Sequence, residues 1–121
     1  MVAFFSVSND SLIDKGYEKW NNLSRKIKNQ KRRRDYPAVK IGRLGVSKDY
    51  AGKKLGTQII DFVKGWFAIN NKTGCRFVLV DAYNRKEVLN FYQRNEFSFL
   101  TEKDEQQKTR LMFFDLIKIV E

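Results

Sequence analysis

Residues 76–82, Arg-Phe-Val-Leu-Val-Asp-Ala, carry four apolar residues in a row between an arginine and an aspartate. Side chains of a strand alternate between two faces, so an apolar run without alternation must be covered on both. The run therefore predicts a buried central strand, and its neighbours predict helices. Residues 57–69 set Ile59, Ile60, Val63, Trp66 and Phe67 on one helical face. Arg85 to Arg94 set Val88, Leu89, Phe91 and Tyr92 inward or toward a site.

Upstream, residues 2–8 are apolar and aromatic with serines between, which predicts a strand. The Ser-Asn-Asp-Ser run at 8–11 predicts a turn or helix cap. Residues 14–36 form a basic region in which Tyr17, Trp20, Leu23 and Ile27 have the spacing of a short amphipathic helix, while Lys31 to Arg34 read as exposed loop. Pro37 restarts extended chain. In residues 38–46, Val39, Ile41, Leu44 and Val46 alternate with one slip between Ile41 and Leu44, which a bulge near Gly42 or Gly45 accounts for. A loop rich in Gly and Lys covers 47–56. Phe97 to Leu100 and Leu111 to Ile117 predict two strands closing around a polar loop at 102–110. The order is strand, helix or loop, strand, helix, strand, helix, strand, strand. That is a mixed α+β chain, read as a single domain over 1–121.

Charge narrows the partners. Lys and Arg number 24 against 14 Asp and Glu, so the chain carries +10. Such an excess attracts nucleic acid, phosphorylated cofactors or acidic membrane without choosing among them. The absence of His removes His-based triads and the usual zinc sites, so no metal is expected. The one cysteine, Cys75, forms no internal disulfide and suits a reducing compartment. With neither a signal-peptide pattern nor an apolar stretch near membrane-span length, a cytoplasmic protein without membrane contact is the expectation.

Two segments carry chemistry. Tyr50-Ala-Gly-Lys-Lys-Leu-Gly-Thr57 lies between a predicted strand and a predicted helix. Backbone N–H groups of such a turn, joined by the free N–H groups of the helix start, cradle phosphate oxygens. Gly52 and Gly56 permit close backbone approach, and Lys53 and Lys54 add charge. The spacing is not that of a Walker loop. The second segment, Asn84…Phe91-Tyr92-Gln-Arg-Asn-Glu-Phe97, follows the buried strand. Taken alone, its Tyr92 reads as core packing ahead of chemistry.

Taken together, Arg43-Leu-Gly-Val-Ser-Lys-Asp-Tyr-Ala-Gly-Lys-Lys-Leu-Gly-Thr and the later Asn84…Phe91-Tyr92…Phe97 resemble the cofactor motif and the following helix of the GNAT family of N-acetyltransferases. The resemblance covers residues 38–117. It departs from the family pattern at three places. Ala51 stands for the motif's leading Gln or Arg, Lys54 for its middle Gly, and Glu96 for the Gly of a Phe-Tyr-x-x-x-Gly-Phe pattern. It implies a central mixed, mostly antiparallel sheet flanked by helices, N-terminally short by the first strand and two helices. It also implies acetyl-CoA as cosubstrate. Leu44, Gly45 and Val46 would offer main-chain groups to the pantetheine arm, and Ala51, Gly52, Lys53, Lys54, Leu55, Gly56 and Thr57 would hold the pyrophosphate. Asn84 would sit near the pantetheine where the central strands splay. Tyr92 would be the general acid for the departing thiolate, a fitting role for a phenol of pKa about 10.

The basic segment and Pro37-Ala-Val-Lys-Ile-Gly-Arg-Leu-Gly-Val46 further resemble the acetyltransferase toxins that modify aminoacyl-tRNA. That likeness implies a primary-amine acceptor such as charged tRNA, and an antitoxin partner; the sheet edge left by the absent strands predicts a homodimer that covers it. Two functions stay open: an N-acetyltransferase, and a non-catalytic nucleic-acid- or protein-binding module on a degenerate GNAT fold. Asp81 is read as a base or water-orienting group, or as a structural residue.

Overall fold

A computed structural model describes residues 3–13, 35–46, 54–70 and 75–120. Eight elements follow in order: β1 (Ala3–Ile13), β2 (Asp35–Val46), α1 (Leu55–Asn70), β3 (Phe77–Tyr83), α2 (Lys86–Arg94), β4 (Ser98–Phe99), β5 (Thr109–Asp115) and α3 (Ile117–Val120). The strands form one sheet in the order β1-β2-β3-β5-β4. Only the β2–β3 pair is parallel, with α1 as its crossover; the other three pairs are antiparallel. This is the mixed, mostly antiparallel sheet with flanking helices that the sequence predicts.

The continuous apolar run is explained by the two faces of β3. Val78, Val80 and Ala82 point to one side, where they meet Val39, Ile41, Met112 and Phe114 from the sheet and Ile60, Val63, Tyr92 and Phe97 from the helical layer. Phe77 and Leu79 point to the other, into a cluster with Leu12, Tyr36, Ala38, Leu100 and Phe113. Phe77 is fully buried and makes edge contacts with Tyr36 and Phe113 at ring separations of 5.9 and 6.1 Å. Full burial of such a ring stabilises by roughly 2–3 kcal/mol. Alternation resumes at Asp81 and Tyr83, both exposed, so the chemistry of β3 changes where its second face runs out of cover.

Three expectations need correction. The turn predicted at 8–11 does not exist; the strand continues to Ile13, because Ser8 through Ile13 pair with Lys40 back to Asp35 and that ladder outweighs the local turn preference of Asn and Asp. Trp66 is not on the inner face of α1. It is 46% exposed and stacks on Phe62 at 6.1 Å, while Ile60, Val63 and Lys64 point inward and Phe67 packs against the core. The last strand spans Thr109–Asp115 rather than 111–117, because Leu116 turns the chain into α3. The helix predicted within 14–36 and the basic run at 31–34 lie outside the described residues.

The bulge is where the spacing puts it. Ser6 pairs with Arg43 and Val7 with Ile41, so Gly42 is the extra residue of β2. At the opposite end the sheet is clamped. Arg76 donates through Nε and Nη2 to the two carboxylate oxygens of Asp115 at 2.7 and 3.0 Å, with Asp115 98% buried. The same carboxylate accepts the Ile117 N–H at 3.1 Å, capping α3, and the Arg76 backbone ties Pro37 to Leu116. Removing one partner strands a buried charge. Arg76→Ala is therefore expected to lower unfolding free energy by about 3 kcal/mol, read as an earlier urea midpoint at unchanged slope.

Candidate active site

The site begins where β2 and β3 part. They pair only over Ala38–Ile41 and Phe77–Val80. Past the Gly42 bulge, β2 stays paired to β1 through Val46, while β3 stays paired to β5 through Tyr83. Among the described residues, the second edge of Gly42 to Val46 therefore has no paired strand and borders a gap at the carboxyl ends of two parallel strands, the place where open sheets of this kind take ligands. Leu44, Gly45 and Val46 lie on this edge. A Cβ on Gly45 would lie 2.4 Å from the Phe4 ring across the ladder, so a side chain there would have to displace that exposed ring. Lys40 and Asp81 form an ion pair at the fork, and both remain partly exposed.

Beyond the gap, α1 begins at Leu55. The first-turn N–H groups of a helix lack intrahelical acceptors, and no residue in the first turn of α1 is acidic. The Lys54 carbonyl accepts the Gln58 N–H at 3.0 Å, so the helix is wound from its first residue. Lys54 itself has φ 61°, the left-handed region, and is exposed. Ala51, Gly52 and Lys53 lie outside the described residues.

Asn84 follows β3 at the rim of the gap. Its Nδ2 donates to the Glu105 and Gln107 carbonyls at 2.7 and 2.9 Å, and its backbone N–H donates to Lys108 at 2.9 Å. Its amide hydrogens thus fasten the 102–108 loop to the site. From the other side, Arg110, 7% exposed, holds the loop through Asp104 at 2.9 Å and the Thr101 carbonyl at 3.0 Å, with its guanidinium 3.8 Å from the Phe99 ring centre.

Tyr92, 7% exposed, lies in the last turn of α2. Its ring stands edge-on to Phe91 and Phe97 at 5.1 and 5.5 Å, and among the described residues nothing bonds its hydroxyl. Burial pushes the phenol above its ordinary 10.0. The helix ends through Asn95, whose N–H donates to Phe91 and Tyr92, and then through Glu96 at φ 71°. Among the described residues Glu96 and Lys54 are the two non-glycine residues at positive φ, and both stand where the resembled motifs have glycine. The backbone keeps the glycine conformation at a cost of order 1 kcal/mol each.

Lys64 was missed by sequence reasoning. It is 6% exposed, and its Nζ donates to the Asn95 carbonyl beneath the Phe114 ring, 3.9 Å away. Desolvation lowers its pKa, partly offset by the carboxylates of Glu96 and Asp61. Its position at i+4 from Ile60, beside Val63, was the available signal.

Residues 17–99 match the acetyltransferase (GNAT) domain family, and the chain belongs to that family. Three solved structures share the fold over 98% of the chain: AtaT complexed with acetyl-methionyl-tRNAfMet (16% identity, TM-score 0.77), AtaTR bound with AcCoA (15%, 0.73) and a Tyr→Phe mutant of KacT (20%, 0.72). The chain spans only 64–65% of the length of these structures. No curated protein matches it in sequence. Among the described residues there is no helix long and apolar enough to cross a membrane and no acidic, His or Cys cluster that could hold a metal ion.

Two outcomes check this geometry. Glu96→Gly is expected to stabilise the fold by about 0.5–1 kcal/mol in urea unfolding, since only the left-handed strain and a weak interaction with Lys64 are lost. For Tyr92 the folded state holds its proton more tightly than the unfolded chain. The phenol's contribution is thus complete below about pH 10 and is lost as pH rises through its folded value. Relative to Tyr92→Phe, the parent should lose stability only on the alkaline side; a constant difference across pH would mean the phenol is not buried.

Proposed function

We propose that residues 1–121 form one acetyltransferase domain that moves an acetyl group from acetyl-CoA to a primary amine. The observation that carries this reading is the fork after Ile41, with a main-chain edge at Leu44 to Val46 that no other described strand pairs, followed by the N-terminus of α1, whose first turn holds no acidic residue. The edge suits the amides of a pantetheine arm, which can add to it as a short strand. The α1 terminus, with Lys53 and Lys54, suits a pyrophosphate. Asn84 would border the arm through its carbonyl oxygen.

In transfer, the amine nitrogen bonds to the thioester carbon, the carbon–sulfur bond breaks, and the sulfur leaves with the electron pair. Tyr92 supplies the proton that sulfur needs. Burial keeps the phenol protonated at neutral pH, and the same dry surroundings strengthen its hydrogen bond to a developing thiolate. Asp81, held by Lys40 on the opposite face of β3, is better suited to structure than to taking the amine proton, so the amine attacks in its neutral form and its surplus proton leaves to water.

The acceptor we favour is the amine of an aminoacyl-tRNA. The chain's +10 charge fits an RNA, and the AtaT complex with acetyl-methionyl-tRNAfMet shows that a protein of this fold handles such a molecule. A protein partner would use the edge of β1, where Phe5 and Phe62 meet at 6.3 Å with Phe62 and Trp66 exposed. A second copy of the chain or an antitoxin would each fit there.

Isothermal titration with acetyl-CoA should give one site per chain, and no heat would end this reading. Thiol release from acetyl-CoA in the presence of methionyl-tRNA should follow. Tyr92→Phe should slow it by about 10²-fold with cofactor affinity nearly unchanged, whereas equal loss of both would make Tyr92 structural. Salt-sensitive RNA binding without thiol release would favour the non-catalytic module instead.

A further inference from the structure

We propose that Lys64 and Asn95 form a buried latch that seats the end of α2, and with it Tyr92, on the first turns of α1. The proposal rests on the reading of Tyr92 as the acid, and makes both residues positioning residues. Each is 6% exposed. Packing alone would be met by an apolar side chain at either place, and burying an ammonium and an amide costs free energy unless their bonds are made.

Those bonds all join the two helices or close the last turn of α2. Lys64 Nζ donates from α1 to the Asn95 carbonyl. Asn95 Nδ2 donates back to Thr57 Oγ1 at 3.4 Å, in the first turn of α1, and to the Phe91 carbonyl at 2.9 Å. The Asn95 N–H donates to the carbonyls of Phe91 and Tyr92 at 3.2 and 3.1 Å. The Lys64 ammonium also lies 5.4 Å from the centre of Phe97, whose ring is 5.5 Å from that of Tyr92. Glu96, Asp61 and Lys118 are the charged groups that act on it.

The latch therefore spans the two halves of the site. Thr57 belongs to the segment assigned to the pyrophosphate, and Tyr92 to the turn that Asn95 closes. A nine-residue helix whose N-cap, Arg85, makes no side-chain cap bond has little stability of its own, so its seat depends on such tertiary bonds. A shift of about 1 Å in the acid is enough to cost up to 10²-fold in rate.

The test uses the full 121-residue chain, acetyl-CoA and methionyl-tRNA. Lys64→Met keeps an apolar stem without the donor. It should lower kcat about tenfold with KM for acetyl-CoA changed less than about threefold, and should lower it less than about twofold further in a Tyr92→Phe background. Equal losses in both backgrounds, or no loss in the parent, would overturn the latch. A second measurement needs no turnover. The Tyr92 ionisation, isolated as the absorbance difference between parent and Tyr92→Phe during alkaline titration, should move down toward 10 in Asn95→Ala as the turn loosens. An unmoved titration in a folded Asn95→Ala would also overturn it. If the parent neither binds nor turns over acetyl-CoA, the acetyltransferase reading fails, while the titration still decides whether the latch holds Tyr92.

Discussion

The parting of β2 from β3 is the feature on which the rest of the site depends. Both strands keep all their pairing on the outer sides, with β1 and β5, and lose it only with each other. A glycine bulge supplies the change of direction: Gly42 adds one residue to β2 without a partner in β1, and the parallel ladder stops one residue before it. Unpaired main-chain groups are tolerated only where water or a ligand meets them. Among the described residues the gap is thus bordered by backbone groups of β2 that no strand pairs, and its walls are held by ladders that need no particular side chains.

Around that gap the chain stores some strain and secures it. Lys54 and Glu96 hold left-handed conformations at the entrance to α1 and the exit of α2. Each adjoins hydrogen bonds that over-determine the turn: Lys54 carries the first α1 bond, and Glu96 sits between Asn95, which grips α2, and Phe97, whose N–H returns to Tyr92 at 3.0 Å. The turn geometry matters more than residue identity, because backbone groups do the holding. This explains how a chain lacking two expected glycines keeps the conformation those glycines would favour.

Much of the fold was legible in the sequence. The uninterrupted run at 77–80 announced a strand covered on both faces, and the slip between Ile41 and Leu44 announced a bulge near Gly42 or Gly45, of which the register picks Gly42. The segment at 8–11 was not legible. Ser, Asn and Asp favour turns only when no ladder competes, and β2 provides one. Trp66 was misplaced for a similar reason: hydropathy assigns the larger apolar residue inward, but the helix face is set by packing on the sheet, which left Trp66 outside and brought Lys64 in with Ile60 and Val63.

From the sequence alone came the order of elements, the motif residues from Leu44 to Thr57 and the tyrosine after the central strand, since these are properties of spacing and residue type. Tertiary structure alone decided what those residues can reach. The gap exists because two ladders diverge in space. The phenol is dry because Phe91 and Phe97 enclose it, and Thr57, Lys64 and Asn95 meet because two helices, as much as 38 residues apart in the chain, share one face of the sheet. Periodicity is local and can be read along a chain; burial and polar contacts between distant segments are set by how the layers close on one another.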